Sequence, residues 1–239
     1  MGRITVITGG SGGIAKSVVS KFLEKDRVIV LDINDVKDKK LLDNEKFTFI
    51  KTDVTNPDDI ERAKKIIKEK YGRVSNLISM AGINMKSEIG GMKEITLEDI
   101  DKSIKLNLNA HIYLAKLFMD LFEKEEGVKN FIMISSINAI ADYGLPAYSA
   151  AKSGMYGFMK AITMEFGKLK IRTNTISLGT VPHDDDIIEG NEYFESKHDD
   201  LPLREFVRPD DVADVLYSLI YQMKGIVGHN IILDMGQSV

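Results

Sequence analysis

Short β-branched runs alternate with helix-period segments from one end of this chain to the other, and the alternation predicts its architecture. Ile4-Thr5-Val6-Ile7 is an apolar run of the kind that a strand buried on both faces uses, and Val18, Val19, Phe22 and Leu23 then recur at helical spacing. The strand pattern returns at Val28–Leu31, Phe47–Ile50, Leu77–Ser79, Phe131–Ser135, Ile171–Ser177 and Ile231–Gly236. Between these runs lie helix starts. Pro57 precedes Asp58 and Asp59, Thr96 stands three residues before Asp99, Pro146 opens a long helix, and Arg208-Pro209-Asp210-Asp211 opens the last one. Strands alternating with helices imply right-handed crossovers and an α/β fold: a doubly wound parallel sheet with helices on both faces, in a single domain over 1–239, with ligands at the carboxyl ends of the strands.

Three local patterns carry chemistry. The first strand runs directly into Thr8-Gly9-Gly10-Ser11-Gly12-Gly13-Ile14-Ala15 and then a helix. Glycines there let the backbone approach a pyrophosphate, which would rest on the amides and dipole of the helix N-terminus. An ordinary tight turn is the plainer reading, but it has little use for four glycines. The second strand ends in Asp32, about twenty residues further on, where a carboxylate can accept from adenosine ribose hydroxyls and would repel a 2′-phosphate. Neither Ile33 nor Asn34 is cationic, which favours NAD over NADP; alternatively, Asp32 only begins a polar turn. Finally, Tyr148 and Lys152 are one helical turn apart, so the ammonium can lie close to the phenol and lower its pKa. Such a pair can exchange a proton with a carbonyl or an alcohol, although the same spacing also occurs on solvated helix faces.

With these residues in place the chain resembles, over essentially its whole length, the short-chain dehydrogenase/reductase family in its compact single-domain, Rossmann-like form. The family motif TGxxxGxG falls on Thr8, Gly9 and Gly13, with Ala15 at the last glycine. The Asn-Ser-Tyr-Lys catalytic set falls on Asn107, Ser136, Tyr148 and Lys152, with Ser135 as the alternative serine. The resemblance implies that Ser136 bonds the substrate oxygen, that Lys152 also binds the nicotinamide ribose, and that Asn107 supports a proton-relaying water. It extends the cofactor-binding positions to Gly9, Ser11, Gly12, Gly13, Ile14, Asp32, Asp53, Val54, Ala81, Gly82, Tyr148, Lys152, Gly179 and Val181. There are departures. Asn-Asn-Ala-Gly is Ser79-Met80-Ala81-Gly82 here, which removes two amides that help fix the central sheet. Pro-Gly is Leu178-Gly179, and His183 stands where a hydroxyl residue is expected.

Composition narrows the reading. A net charge of −4 with lysines interleaved among acids, as at Lys37–Lys40 and Lys64–Lys70, offers no basic face for nucleic acid. The absence of cysteine excludes disulfides and thiolate chemistry, and four scattered histidines lack metal-ligand spacing. No apolar run approaches the roughly 20 residues that span a bilayer, and no cleavable signal precedes the first strand, so a cytoplasmic enzyme is expected. Met155, Met159 and Met164 are expected to fill core or interface. The acidic stretch within about 183–205 is expected to form a substrate lid, its carboxylates either biasing the site against anions or pointing into solvent. The reaction that results is NAD(H)-dependent interconversion of a secondary alcohol and a ketone in a homotetramer or homodimer. A 3-oxoacyl thioester reductase and a non-catalytic NAD-sensing scaffold are the alternatives.

Overall fold

A computed structural model describes residues 2–141, 143–182 and 201–239. Seven parallel strands form one sheet: β1 Ile4–Thr8, β2 Arg27–Asp32, β3 Phe47–Lys51, β4 Asn76–Ser79, β5 Lys129–Ser136, β6 Ile171–Leu178 and β7 Asn230–Leu233, in the spatial order β3-β2-β1-β4-β5-β6-β7. Every residue of β1, β4, β5 and β6 is buried. Their side chains divide between the two faces: Ile4 and Val6 join one core cluster, while Ile7 joins the other. This is the packing for which an uninterrupted β-branched run is suited.

The helices are α1 Gly13–Leu23, α2 Lys39–Leu42, α3 Pro57–Tyr71, α4 Leu97–Ile104, α5 Ala110–Leu117, α6 Met119–Glu123, α7 Pro146–Lys168 and α8 Pro209–Tyr221. On one face, Val18, Val19 and Phe22 of α1 pack with Val212, Leu216 and Leu219 of α8. On the other, Ile60 and Ile67 of α3, Leu114 of α5 and Met155, Met159 and Phe166 of α7 share a core. Met164 is 76% exposed on this single chain, outside the core that its neighbours Met155 and Met159 fill.

The helix ends follow the local chemistry. Asn56 accepts from Asp58 N–H ahead of Pro57, and Thr96 accepts from Asp99 N–H. Gly72 closes α3 in a left-handed conformation. The buried guanidinium of Arg172 in β6 donates to the carbonyls of Leu219, Ile220 and Met223, tying off the end of α8.

Strand order reverses between β1 and β4, and this switch point opens a crevice at their carboxyl ends. Segment 183–200, which holds His183 and the acidic run expected to form the lid, lies outside the described residues. From Leu201 onward the chain is described, with Leu201 and Phe206 buried together.

Candidate active site

The glycine turn is pinned from two sides. Gly9 has φ +70°, and a Cβ on it would stand 2.9 Å from Ala81 Cα. A Cβ on Gly10 would stand 2.6 Å from the Val30 methyls. Thr8 Oγ1 accepts from the N–H groups of Met80 and Ala81 at 3.1 and 3.2 Å, fixing the end of β1 to the loop after β4. Helix α1 starts at Gly13 behind Gly12, which has no side chain with which to cap it, so backbone amides are the donors offered there.

Asp32 is buried at the end of β2 and holds this turn: Oδ2 accepts from Ser11 N–H at 3.0 Å and Oδ1 from Asn34 N–H at 2.8 Å. Each oxygen retains a further lone pair for a hydroxyl donor. Thr52 N–H donates to Asp32 O, which brings the loop with Asp53 and buried Val54 beside it. Asp53 uses Oδ1 to accept from Thr55 N–H and Oγ1, so its side chain shapes this loop. A backbone cradle with a carboxylate at its far rim fits the diphosphate and ribose of a dinucleotide. Gly179 lies after β6, where a Cβ would meet Asp234 Cα at 2.8 Å; Thr180 and Gln237 bond each other, and Val181 packs on the α1–α8 core.

The second half of the site is made of side chains. Leu145, itself left-handed at φ 55°, precedes Pro146 at the start of α7, and this places Tyr148 and Lys152 on one face of the first turns. Lys152 is buried, donates from Nζ to Ile134 O at 2.8 Å, and sits 5.4 Å from the centre of the Tyr148 ring. The sheet distinguishes the two serines. Ser135 Oγ donates to Lys152 O, so it serves the backbone of α7. Ser136 Oγ faces Tyr148 and donates to Asn138 Oδ1 at 3.0 Å.

Asn107 occupies a π turn, Lys105–Asn109, between α4 and α5, rather than a continuous helix. The extra residue turns its amide inward, where Nδ2 donates to Ile83 O at 2.9 Å and Oδ1 accepts from Ile83 N–H at 3.1 Å. A Cβ on Gly82 would lie 2.8 Å from Asn107 Oδ1 and 3.2 Å from Lys152 Nζ, so only glycine leaves room where these two groups converge.

The electrostatics correct one expectation. Burial pushes the Tyr148 phenol up to about 12; the Ser136 hydroxyl pulls it back and the charge of Glu88 adds to the rise. Burial brings the Lys152 ammonium down to about 7, and its Nζ donates to Ile134 O.

Three further residues carried no signal in the sequence. Glu88 lies in the 3₁₀ turn Lys86–Lys93, is buried, and accepts from Tyr148 N–H at 2.9 Å. Asn138 ties Ser136 to Gly144 O and Ser149 Oγ. His111, fully buried one turn after Asn107, bonds Ser79 Oγ through Nδ1 at 2.7 Å. Burial and the Lys152 charge hold its imidazole well below the usual histidine range. This Ser79–His111 pair supplies a tie from β4 to α5 where the expected amides are missing.

The family model described as short chain dehydrogenase matches residues 3–185. The chain belongs to the short-chain dehydrogenase family. It is 27% identical to the acetoacetyl-CoA reductase of Allochromatium vinosum over 99% of this chain and 98% of that one. It is equally identical to the NAD-dependent glycerol dehydrogenase of Listeria innocua, over 99% and 94%. Among solved structures, the 3-ketoacyl-(acyl-carrier-protein) reductase of Brucella melitensis complexed with NADH superposes with a TM-score of 0.88 at 19% identity, over 100% of this chain and 99% of that one, which speaks for the shared fold. The short-chain dehydrogenase fold and oxidoreductase class thus agree with the glycine turn, the switch-point crevice and the strand order. Among the described residues no helix is long and apolar enough to cross a membrane, and no group of histidine and acidic side chains could hold a metal ion.

Proposed function

We propose that this short-chain dehydrogenase interconverts a secondary alcohol and a ketone with NAD(H). The observation that carries the reading is the meeting of Asn107 and Lys152 at Gly82, with the Tyr148 ring beside Lys152 and Ser136 Oγ facing Tyr148. The nicotinamide, when bound, supplies or removes the hydride and, in its oxidised form, brings the positive charge that favours the phenolate. Tyr148 Oη then gives or takes the proton of the substrate oxygen, and Ser136 Oγ, oriented by Asn138, holds that oxygen. Lys152 contributes a buried ammonium for the ribose and for the phenol, with Asn107 beside it to support a relaying water. Asp32 favours NAD over NADP, since a 2′-phosphate would meet a carboxylate already fixed by Ser11 and Asn34.

The glycine turn, Asp32, the Asp53–Val54 loop, Ala81, Gly82, Gly179 and Val181 form the cofactor side. The working unit is a single-domain subunit in a cytoplasmic homotetramer or homodimer. A second reading, reduction of a 3-oxoacyl thioester, is favoured by the similarity to the acetoacetyl-CoA reductase over nearly the whole of both chains. Steady-state reduction of NAD and of NADP with a panel of secondary alcohols, run beside oxidation of NADH by acetoacetyl-CoA, tests the proposal. Turnover of an alcohol with NAD supports it. Turnover only of the thioester, or only with NADP(H), replaces it.

A further inference from the structure

Lys51 is a cation on the cofactor side of the crevice that the proposed function does not use. It ends β3 as the register partner of Asp32, which ends β2. Register partners on these two strands share a face: Val30 and Phe49 pack on the α1–α8 core, whereas Leu31 and Ile50 belong to the opposite one. Alternation therefore puts the side chains of Asp32 and Lys51 together on the α1 face, the face of the glycine turn, where Asp32 holds Ser11 N–H. The Lys51 ammonium is taken up by Asp35, three residues beyond Asp32, with Nζ donating to its two carboxylate oxygens at 3.1 and 3.2 Å. Both side chains are largely exposed, at 61% and 69%, so the pair is weak and the lysine can change partner at little cost. Arg62 donates to Lys51 O at the same strand end but is paired with Asp59, and it leaves the Asp35–Lys51 contact alone.

We propose that Lys51 is the group through which this site accepts a 2′-phosphate, and that Asp35 makes the site selective for NAD(H) by holding that ammonium and repelling the phosphate. The inference rests on the dinucleotide reading above and deepens it, since selectivity then comes from a second carboxylate as well as from Asp32. The hydroxyls of an NAD ribose need only an acceptor, which Asp32 supplies. A phosphate at the same place needs a cation to offset that carboxylate, and a lysine serves it as a point charge on a flexible stem, without a fixed geometry. With Asp35 present, one ammonium stands between two carboxylates and the rim remains negative. Without the Asp35 charge, Lys51 balances Asp32 and is released to a new partner.

The test reads binding rather than turnover. NADH and NADPH are titrated by nicotinamide fluorescence against wild type, Asp35→Asn, Lys51→Met and the double variant, at low and high salt, and thermal unfolding checks that each protein is folded. At low salt Asp35→Asn is expected to tighten NADPH by about 3-fold or more and Lys51→Met to weaken it by a similar factor, with NADH staying within about 2-fold throughout. The gain from Asp35→Asn should fall below about 2-fold when Lys51 is replaced, and it should shrink at high salt. A gain that survives in full without Lys51, or NADPH binding indifferent to both residues, would overturn the assignment. If wild type binds NADPH at least as tightly as NADH while that binding depends on Lys51, the NAD preference fails and the lysine assignment stands. Binding of neither dinucleotide to wild type would overturn both.

Discussion

The two halves of the crevice are built from different materials. Around the glycine turn the contacts are largely backbone: Gly9 against Ala81, Asp32 holding the amides of Ser11 and Asn34, and an α1 start with no side-chain cap. Across the switch point the groups are side chains fixed by partners far along the chain, as with Asn107 on Ile83, Lys152 on Ile134 and Ser79 on His111. Backbone cradles bind a ligand common to many reactions, whereas a side-chain network can be varied residue by residue. The first half is therefore suited to a shared cofactor, and the second to one substrate.

If that division is right, substitutions should separate cofactor binding from turnover, except at the residue proposed to serve both. Lys152→Met should lower turnover by roughly 10²–10⁴-fold and also weaken NADH binding in a fluorescence titration, since it removes the ammonium from the phenol and from the ribose. Unchanged NADH affinity would confine Lys152 to the catalytic half. Gly82→Ala forces a methyl between Asn107 Oδ1 and Lys152 Nζ, and displacements of that size cost up to about 10²-fold in rate. Steady-state kinetics should show this loss.

A smaller effect is expected on the cofactor side. Asp32→Ala should reduce the preference for NAD over NADP by about 1–3 kcal/mol in paired titrations, while kcat at saturating NAD stays near wild type. An unaltered preference would leave Asp32 as a support for the turn alone. The remaining effect is on stability rather than on activity. Lys152 has a folded-state pKa of about 7, below its ordinary 10.5, so between these values the unfolded chain binds the additional proton. Wild-type stability, taken relative to Lys152→Met, should rise with pH across that window, by at most about 1.4 kcal/mol per unit, and be flat below about pH 7. Denaturant midpoints at pH 6, 8 and 9.5 would measure it, and a relative stability that falls over the window would contradict the buried ammonium.

Legibility in the sequence follows the same division. The strand runs, the glycine turn and Asp32 are local patterns whose geometry is fixed within a few residues, so the sheet and the turn at its switch point could be read directly. The Tyr148–Lys152 spacing was also local, and it correctly put both residues on one helix face. Its electrical consequence was not local: the phenol is raised by burial and by Glu88, sixty positions away in the chain, while Lys152 turns to Ile134. The π turn at Asn107 escaped because an inserted residue leaves the apolar period nearly unchanged. His111 looked like a stray histidine until the fold brought Ser79 to it.

The claim on which the rest depends is that Tyr148 transfers the proton and does not hold the cofactor. Tyr148→Phe is nearly isosteric and keeps the backbone bond to Glu88, so it removes only the hydroxyl. The decisive measurement is the near-ultraviolet absorbance of NADH formed from NAD and a secondary alcohol that wild type oxidises, alongside the Kd for NADH of both proteins. The account requires turnover to fall by at least about 100-fold with the Kd within about 2-fold of wild type. A Tyr148→Phe enzyme that turns over near the wild-type rate would contradict it.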